Sequence, residues 1–340
     1  MRYLITGGCG FLGSNLASRV LADGDELFVL DNLYRSGTGQ NLAWLREQGA
    51  FTFFHSDIRS AHDVERAVQL SRPDVVFHLA GQVAMTTSIE NPRLDFETNV
   101  TGGINLLESV RRHAPQALVT YSSTNKVYGD LETLDYQEQR TRYVATAFPQ
   151  GFSEDLRLDF RSPYGCSKGA VDQYMLDYAR IYGLRTVVFR HSSVFGTRQF
   201  STVDQGWIGW FVRQAVDARR AQGETPFTIS GNGKQVRDVL FASDLVECYF
   251  AAVRHADRAA GQAFNIGGGP DNSLSLLELF AFLEQELDVT LAYTQLPWRQ
   301  SDQRVYVSDI RKAAALLDWA PALTRDEGLR SMVAWVQNSG

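Results

Sequence analysis

The chain has 340 residues and a formal net charge of −6 without any block of basic residues, so nucleic acid and anionic membranes are not expected partners. No apolar stretch is long enough to cross a membrane, and the first residues already have the pattern of a strand, which argues against a signal peptide. The three cysteines stand at unrelated positions, which predicts no disulfide framework and no metal site, and hence a metal-free cytoplasmic protein.

A short apolar run at residues 3–5 is followed by Gly7, Gly10 and Gly13 and then by a helical pattern over residues 14–21. An apolar run that ends in glycines is typical of a buried parallel strand. Glycines between a first strand and a first helix permit a tight turn and let the backbone approach a pyrophosphate, which the helix N-terminus can bind. The pattern therefore predicts a dinucleotide site.

The second predicted strand, residues 26–30, ends at Asp31, eighteen residues after Gly13. A carboxylate at this place accepts a hydrogen bond from the ribose 2′-hydroxyl and repels a 2′-phosphate, which favours NAD over NADP. The nearby Arg35 argues the other way but is less well placed. Asp57 follows a third strand at 51–54, and it is either a neighbour of the adenine or the cap of a helix over 61–70.

Later apolar runs at 75–79, 117–121 and 186–190 alternate with helical patterns at 96–112, 171–181 and 207–220. This alternation predicts an α/β fold, a Rossmann-type doubly wound parallel sheet with helices on both faces. After residue 190 the pattern loosens into a smaller mixed α/β lobe. We expect an NAD-binding domain at 1–190, with a return over about 235–262, and a substrate lobe mainly at 191–340. The polar stretch 131–160 is either a binding loop or a surface excursion.

Three residues carry the predicted chemistry, namely Thr124, Tyr164 and Lys168. Tyr164 and Lys168 are four positions apart, so on a helix they share one face. An ammonium beside a phenol favours the phenolate, which can take a proton from a hydroxyl group. The hydroxyl of Thr124 can donate to the substrate oxygen as charge develops there.

These residues resemble those of the extended short-chain dehydrogenase/reductase superfamily over essentially the whole chain. The stretches that carry the resemblance are Thr6-Gly-x-x-Gly-Phe-x-Gly13, Asp31-Asn32, Asp57-Ile58, His78-Leu-Ala80, Asn99, Ser122-Ser-Thr124, Tyr164-x-x-x-Lys168 and Arg237-Asp238-Val239. Within the superfamily, the stretches 79–88, 122–130, 162–168, 189–193 and 204–207 are similar to the CDP-paratose 2-epimerase (CDP-tyvelose 2-epimerase) family. Members of that family invert C2 of a nucleotide-linked 3,6-dideoxyhexose with tightly held NAD.

The resemblance implies an NAD-dependent nucleotide-sugar 2-epimerase that oxidises C2 transiently to a keto sugar and returns the hydride to the opposite face. It implies a cofactor site of Gly7, Gly10, Phe11, Leu12, Gly13, Asp31, Asn32, Asp57, Ile58, Leu79, Ala80, Gln82, Asn99, Ser122, Tyr164 and Lys168. The expected substrate contacts are Thr86, Ser123, Thr124, Asn125, Lys126, His191, Ser193, Arg198, Gln199, Arg237 and Arg304. A CDP-hexose and a homo-oligomer, either dimer or tetramer, are the expected partners.

Other functions stay open at this stage. Nucleotide-sugar 4,6-dehydratases resemble one another in an Asp-Glu pair after the threonine, which supplies protons for elimination. Asn125 and Lys126 stand there instead, which disfavours a dehydratase. A 2-epimerase of another nucleotide sugar, such as the GDP-glucose/GDP-mannose pair, a dehydrogenase on the same scaffold and a non-catalytic NAD-binding protein are the remaining alternatives.

Overall fold

A computed structural model describes residues 1–202, 205–221, 226–299 and 302–338. Asp204, in one of the stretches that carry the family resemblance, lies outside these residues. In chain order the strands are β1 (Arg2–Thr6), β2 (Glu26–Asp31), β3 (Thr52–His55), β4 (Val75–His78), β5 (Leu118–Thr124), β6 (Gln137–Glu138), β7 (Tyr143–Val144), β8 (Arg185–His191), β9 (Ser193–Phe195), β10 (Phe227–Ser230), β11 (Val236–Phe241), β12 (Gln262–Ile266), β13 (Ser273–Ser275), β14 (Tyr293–Leu296) and β15 (Val305–Tyr306).

The helices alternate with these strands through the first half of the chain. They are α1 (Phe11–Ala22), α2 (Thr38–Gln48), α3 (Ala61–Ser71), α4 (Met85–Glu90), α5 (Pro92–Phe96), α6 (Gly102–His113), α7 (Pro163–Tyr182), α8 (Trp207–Ala221), α9 (Ala242–Arg254), α10 (Ala256–Ala259), α11 (Leu276–Leu287), α12 (Arg311–Leu317) and α13 (Arg325–Asn338). A π-helical turn, Glu97–Thr101, joins α5 to α6, and short 3-10 helices cover Asn125–Tyr128 and Pro270–Asn272.

Seven parallel strands form the main sheet in the order β12-β8-β5-β4-β1-β2-β3. The strand order reverses between β1 and β4, because the chain runs outward from β1 to β3 before it crosses to β4. The register pairs Thr6 with His78 and Thr124 with His191, so the carboxyl ends of these strands meet along one edge. Ligands of doubly wound sheets bind at such a reversal point. The predicted doubly wound parallel sheet is confirmed.

Both faces of this sheet are covered by helices, which bury its apolar side chains. Helices α1, α2, α9 and α12 pack on one face, where Leu16 and Tyr249 belong to the core. Helices α3, α6 and α7 pack on the other, where Leu107 and Met175 are buried. Strands buried on both faces are expected to be almost continuously apolar, which explains the apolar runs in the sequence.

A smaller lobe stands beside the carboxyl edge of the sheet. It contains a sheet of β9, β11, β13 and β15 and the pair β10–β14, with α8, α11 and α13 packed against them. Strand β11 belongs to this lobe, whereas α9 packs on α1 and β12 is the edge strand of the main sheet. The chain therefore passes between the two parts more than once, and the division of the chain into two domains stays a prediction.

The polar stretch from 131 to 160 packs against the lobe. Its hairpin, β6–β7, is joined to the lobe where the Tyr143 nitrogen donates to the Lys234 oxygen at 3.0 Å. The Phe152 nitrogen donates to the Val307 oxygen at 2.7 Å, and the Phe152 ring is buried in a core that includes Tyr306. This stretch therefore connects the end of β5 to the lobe.

A buried ion pair, Asp172–Arg190, joins α7 to β8 beneath the carboxyl edge. The side chains are 0 % and 5 % exposed, and Arg190 donates to both carboxylate oxygens at 2.9 Å. The Ser123 hydroxyl donates to the same carboxylate at 2.7 Å. Arg190 also donates to the Tyr128 hydroxyl at 2.9 Å, which in turn donates to Asn265 at 2.7 Å. The network thus ties α7 to β5, β8 and β12.

Asp172→Asn should lower the free energy of unfolding by about 3–5 kcal/mol, because Arg190 then stays buried without its counter-charge. Urea unfolding followed by circular dichroism measures the change. Asp177→Asn is the matched control, since Asp177 is on the same helix but pairs with Arg180 in solvent and should change stability by no more than about 0.5 kcal/mol. Equal losses in the two variants would contradict the role given to the buried pair.

Candidate active site

The turn between β1 and α1 has a geometry that requires glycine. Gly7 has a φ of +71°, and a Cβ on it would lie 2.6 Å from the Ala80 nitrogen. A Cβ on Gly13 would lie 2.6 Å from Gly8 Cα. Helix α1 begins after Gly10 without a side chain that caps its first N–H groups. Such a helix N-terminus suits an anion, and the pyrophosphate of a dinucleotide fits here.

A cavity of about 830 Å³ opens at this turn, and small-molecule sites commonly measure about 300–1,000 Å³. The predicted cofactor residues that line it are Gly7, Gly10, Phe11, Leu12, Gly13, Asp31, Asn32, Ile58, Leu79, Ala80, Gln82 and Ser122. The cavity therefore passes from the end of β2, across the glycine turn, to the ends of β4 and β5. This is the path along which a doubly wound fold holds a dinucleotide.

Asp31 ends β2 at the wall of this cavity. Its carboxylate accepts hydrogen bonds from the Cys9 nitrogen at 2.9 Å and the Leu33 nitrogen at 2.8 Å, and burial raises its pKa. The two N–H donors orient the carboxylate, which leaves its outer lone pairs for ribose hydroxyls. Arg35, which argues for a 2′-phosphate, also lines the cavity.

Asp57 lies behind the cavity wall rather than in it. Its carboxylate accepts from Asn32 Nδ2 at 3.0 Å and from two guanidinium nitrogens of Arg59 at 2.9 Å. The hydrogen bonds from Arg59 lower the pKa of Asp57 to about 2. Helix α3 is capped by Ser60, so the alternative role of Asp57 as helix cap is wrong. Asp57 instead holds Asn32 and Arg59, both of which line the cavity.

Asn99 lies beneath the loop that follows β4. Its Oδ1 accepts from the Gln82 nitrogen at 2.9 Å, and its Nδ2 donates to the Gln82 oxygen at 3.1 Å and to Ser167 Oγ at 2.9 Å. Asn99 is buried and lines neither cavity of the site. It therefore positions Gln82, which does line the larger cavity, and links the loop to α7.

A second cavity of about 220 Å³ adjoins the first. Both cavities are lined by Phe11, Leu12, Val83, Ser122, Gln199 and Gln205. The predicted catalytic and substrate residues around the smaller cavity are Ser123, Thr124, Tyr164, Lys168, His191, Ser193 and Gln199. Among the residues that the structure describes, no carboxylate lines it.

Helix α7 presents Tyr164 and Lys168 to the smaller cavity because of the way it begins. Ser162 caps the helix, as its Oγ accepts from the Gly165 nitrogen at 3.0 Å, and a proline occupies the first turn. A Cβ on Gly165 would lie 3.1 Å from the Lys126 oxygen, so the start of α7 packs closely on the segment after β5. The helix N-terminus thus stands beside the end of β5, where Thr124 is placed.

Burial dominates the titration of this pair. Burial raises the pKa of Tyr164 to about 12, although a hydrogen bond with Thr124 opposes the shift. Burial lowers the pKa of Lys168 to about 7, against the raising effects of Asp95 and Asp172. The chain's own groups therefore do not favour the phenolate that the Tyr164/Lys168 spacing predicts. An additional positive charge entering the cavity would lower the pKa of the phenol.

His191 is buried at the wall of the smaller cavity. Its Nδ1 lies 3.2 Å from Ser122 Oγ, and its Nε2 lies 3.4 Å from the Tyr249 hydroxyl. Burial lowers the pKa of His191 to about 3, so the imidazole is neutral at physiological pH. A neutral imidazole can hold the Ser122 hydroxyl at the junction of the two cavities.

A cationic cluster lies outside both cavities and contains three predicted substrate residues, Lys126, Arg237 and Arg304. Lys126 stands two positions after Thr124 in the chain. Lys126 Nζ lies 3.7 Å from Asp302 Oδ1, to which Arg237 Nη2 donates at 2.6 Å. Arg304 Cζ lies 5.8 Å from the centre of the Tyr143 ring. Burial, together with the charge of Arg237, lowers the pKa of Lys126 to about 8. Cationic side chains at such spacing suit a diphosphate.

Other predicted substrate residues make structural contacts. Asn125 Nδ2 donates to Gln303 Oε1 at 3.0 Å, and the Ser123 hydroxyl is engaged by the buried ion pair. Thr86 lines neither cavity, and its Oγ1 is buried with no hydrogen-bond partner among the described residues. Thus Asn125 supports the end of β5, and Thr86 stands behind the wall.

The segment 197–200 contributes three residues, 198–200, to the wall of the larger cavity. Arg198, predicted to contact substrate, lines the larger cavity and donates to Asn41 Oδ1 at 3.0 Å. The Phe200 ring lies where a Cβ on Gly37 would stand, and Gly37 has a φ of +84°. A segment that leads into the lobe therefore packs on α2 and the turn before it.

No motif in the sequence marks three of the lining residues, Thr38, Asn41 and Ile208. Two more, Val83 and Gln205, were not predicted as contacts, although they lie in the stretches 79–88 and 204–207 that carry the family resemblance. Val83 also follows the end of β4, where ligands bind in this class of fold.

None of the described helices has the length and apolar character that a membrane span requires. Over the same residues, no group of three or more His, Cys, Asp or Glu side chains could hold a metal ion.

Comparison with known proteins places these features in context. The family model described as the NAD dependent epimerase/dehydratase family matches residues 3–267. A CDP-paratose 2-epimerase of Salmonella typhi is 56 % identical over 338 residues, which cover 99 % of this chain and 100 % of that protein. The crystal structure of a Thermotoga maritima UDP-glucose 4-epimerase with UDP-glucose superposes with a TM-score of 0.84 at 29 % identity, covering 100 % of this chain and 99 % of that chain. A Thermus thermophilus UDP-glucose 4-epimerase in complex with NAD gives 0.82 at 28 % identity, with 100 % of each chain covered.

Asp31→Ala should reduce the preference for NAD over NADP by about tenfold or more, because a hydrogen bond to a charged acceptor contributes about 1.5–3 kcal/mol. Calorimetric titration of cofactor-stripped protein with each dinucleotide measures the two affinities. Asp23→Ala is the control, since Asp23 pairs with Arg19 near solvent, lines neither cavity and should leave the preference intact. An unchanged preference in Asp31→Ala would rule out the role of Asp31 in cofactor choice.

Proposed function

We infer that this chain, which belongs to the NAD dependent epimerase/dehydratase family, inverts C2 of a nucleotide-linked hexose, with CDP-paratose as substrate and CDP-tyvelose as product. The family confirms NAD as the cofactor and an NAD-dependent epimerase as the class of enzyme. One observation carries the choice of substrate, namely the 56 % identity to the Salmonella typhi enzyme over 99 % of this chain. The smaller cavity supports the chemistry, because Thr124, Tyr164 and Lys168 surround it beside the dinucleotide-sized cavity.

A C–H bond beside an oxygen is not acidic, so simple deprotonation at C2 is too slow and oxidation must come first. When bound, NAD accepts the hydride from carbon, returns it, and in its oxidised form brings one positive charge. Tyr164 takes the proton of the C2 hydroxyl as the hydride leaves, which yields a planar 2-keto sugar. After the sugar has presented its other face, Tyr164 gives the same proton back to oxygen. Hydride and proton are both returned, so the reaction has no net redox change.

Thr124 and Lys168 assist Tyr164 from fixed positions. Thr124 lines the smaller cavity together with Tyr164, so its hydroxyl can reach the same substrate oxygen and stabilise charge that develops there. Lys168 lies one helical turn after Tyr164, and its ammonium stabilises the phenolate.

The dehydratase alternative is disfavoured by the side chains after Thr124. Elimination of water needs a carboxylic acid near the leaving hydroxyl. Asn125 is an amide that is bonded to Gln303, and Lys126 points to Asp302. Along the described part of the smaller cavity there is no carboxylate that could replace the missing acid.

The cationic cluster supports a substrate whose sugar is attached to a nucleotide diphosphate, because its side chains can bind the two phosphates. Lys126 stands two positions after Thr124, the last residue of β5. A diphosphate held by Lys126 would therefore leave the sugar close to Thr124. Arg237 and Arg304 can each donate two N–H groups to phosphate oxygens. We place the nucleotide at this cluster and the hexose in the smaller cavity.

The predicted homo-oligomer and cytoplasmic location also remain proposals. Helix α7 exposes three apolar side chains, Tyr174, Ile181 and Tyr182, which are 45 %, 56 % and 51 % accessible. An apolar patch of this kind on one helix is consistent with a contact between copies of the chain.

Proton NMR of CDP-paratose incubated with the purified protein in deuterated water tests the function. CDP-tyvelose that keeps protium at C2 is the expected product, since the hydride returns without exchange. Deuterium at C2 would contradict transient oxidation. Conversion of a GDP- or UDP-hexose in the absence of any conversion of CDP-paratose would show that the proposed substrate is wrong.

Tyr164→Phe should reduce kcat by about 100- to 10,000-fold, the usual contribution of a general acid or base. Bound NAD and the unfolding midpoint should be unchanged, because the ring remains in place. Tyr174→Phe on the same helix is the control, since Tyr174 is solvent-exposed and its variant should keep full turnover. Wild-type kcat in Tyr164→Phe would show that Tyr164 is not the general acid and base.

A further inference from the structure

Asp95 is a buried carboxylate that the reaction does not use. It stands on α5, is 1 % exposed, and accepts at Oδ1 from Gln82 Nε2 at 2.9 Å and from Asn99 Nδ2 at 3.3 Å. Its Oδ2 is buried and has no hydrogen-bond partner among the residues that the structure describes. Little solvent screens such a group, so its charge acts strongly on its neighbours.

The neighbours of this carboxylate lead to the catalytic pair. Asn99 Nδ2 donates to Ser167 Oγ at 2.9 Å, and Ser167 directly precedes Lys168 on α7. A Cβ on Gly81 would lie 2.8 Å from Asn99 Oδ1 and 3.7 Å from Lys168 Nζ. The amide of Asn99 and the ammonium of Lys168 therefore enclose the same short loop at the wall of the cofactor cavity.

Titratable and charged groups face Lys168 from every element packed around it. They are Asp95 on α5, Asp172 and Tyr164 on α7, Tyr121 on β5, His78 on β4 and His191 on β8. Asp172 is already neutralised by the bidentate contact with Arg190. Asp95 is thus the acidic group of this set that is not engaged by an arginine. Burial raises its own pKa, while the hydrogen bond from Gln82 and the charge of Lys168 favour its ionised form.

We propose that Asp95 is a positioning residue for the epimerisation: its hydrogen bonds fix Gln82 and Asn99 against the cofactor cavity, and its negative charge stabilises the Lys168 ammonium. The role in turnover rests on the proposed function, whereas the coupling between Asp95 and Lys168 does not. Lys168 needs this support because burial acts against its charged form, and only the charged form stabilises the Tyr164 phenolate.

The coupling is measurable because the chain contains four lysines, Lys126, Lys168, Lys234 and Lys312. Lysine labelled with carbon-13 at Cε gives four NMR signals in the purified holoprotein, and Lys168→Arg assigns the relevant one. Asp95→Asn keeps the shape and one acceptor oxygen but removes the charge. The titration midpoint of Lys168 should move down by about one pH unit, as expected for the loss of a nearby opposite charge.

The kcat profile should move to lower pH in Asp95→Asn, because the loss of a negative charge lowers the pKa of both Lys168 and Tyr164. A merely structural role would shift neither the titration midpoint of Lys168 nor the pH profile of kcat. Glu97→Gln is the matched control, since Glu97 is in the adjoining turn but pairs with Arg93 near solvent and should shift neither.

An unmoved Lys168 midpoint in folded Asp95→Asn overturns the proposal. If that variant does not fold, Asp95→Thr is the second variant, since it also removes the charge and has a similar volume. The Lys168 midpoint must then show the same downward shift in Asp95→Thr, and an unmoved midpoint overturns the proposal as well. If the Lys168 midpoint shifts in Asp95→Asn but the wild-type protein does not convert CDP-paratose, the coupling is supported and the proposed substrate is wrong. Failure of the coupling and failure of the proposed function are therefore distinguishable.

Discussion

The position of α7 is fixed by the buried pair of Asp172 and Arg190, and the geometry of the site depends on that position. Lys168 stands one turn before Asp172 on the helix, and Tyr164 stands one turn before Lys168. The guanidinium comes from β8, and the same carboxylate accepts from Ser123, which directly precedes Thr124 on β5. A charge pair without solvent tolerates little displacement, since a helix that slides loses the bidentate contact and leaves two buried charges apart. A displacement of about 1 Å can cost a reaction about 100-fold.

Burial is the second constraint, and it acts in opposite directions on the two members of the catalytic pair. It favours the neutral phenol of Tyr164 and the neutral amine of Lys168, because either charge would lose its hydration. The reaction needs the opposite forms of both groups. The carboxylates near Lys168 favour its ammonium, but the charge of Asp95 opposes the Tyr164 phenolate. The charge that favours the phenolate must therefore come from what binds in the two cavities.

Local patterns predicted much of this structure. The glycine turn, the end of β2 at Asp31 and the start of α7 depend on residues close in sequence, where spacing and residue type determine conformation. The cationic cluster does not depend on local sequence, and neither does Asn125, which bonds to a residue 178 positions away.

The remaining features depend on tertiary packing, which the sequence pattern does not reveal. The loosened pattern after residue 190 could not say which sheet β11 and β12 would join, because periodicity carries no information about partners. Nor could the spacing of Tyr164 and Lys168 reveal how far each is removed from water, and it is burial that raises the pKa of the phenol. The alternative role of Asp57 as a helix cap was wrong for a similar reason, since residue type alone could not show that Ser60 accepts from the Asp63 nitrogen and caps α3.

The segment 197–200 has a consequence for how the enzyme relates to its surroundings. Arg198 and Phe200 line the larger cavity and also contact α2 and the turn before it, so a dinucleotide there would lie against side chains that the fold already holds in place. A reaction that gives back the hydride it takes needs no departure of the dinucleotide between turnovers. The cofactor then behaves as a permanent part of the protein, and the rate of turnover becomes insensitive to the balance of oxidised and reduced nicotinamide in the surrounding solution.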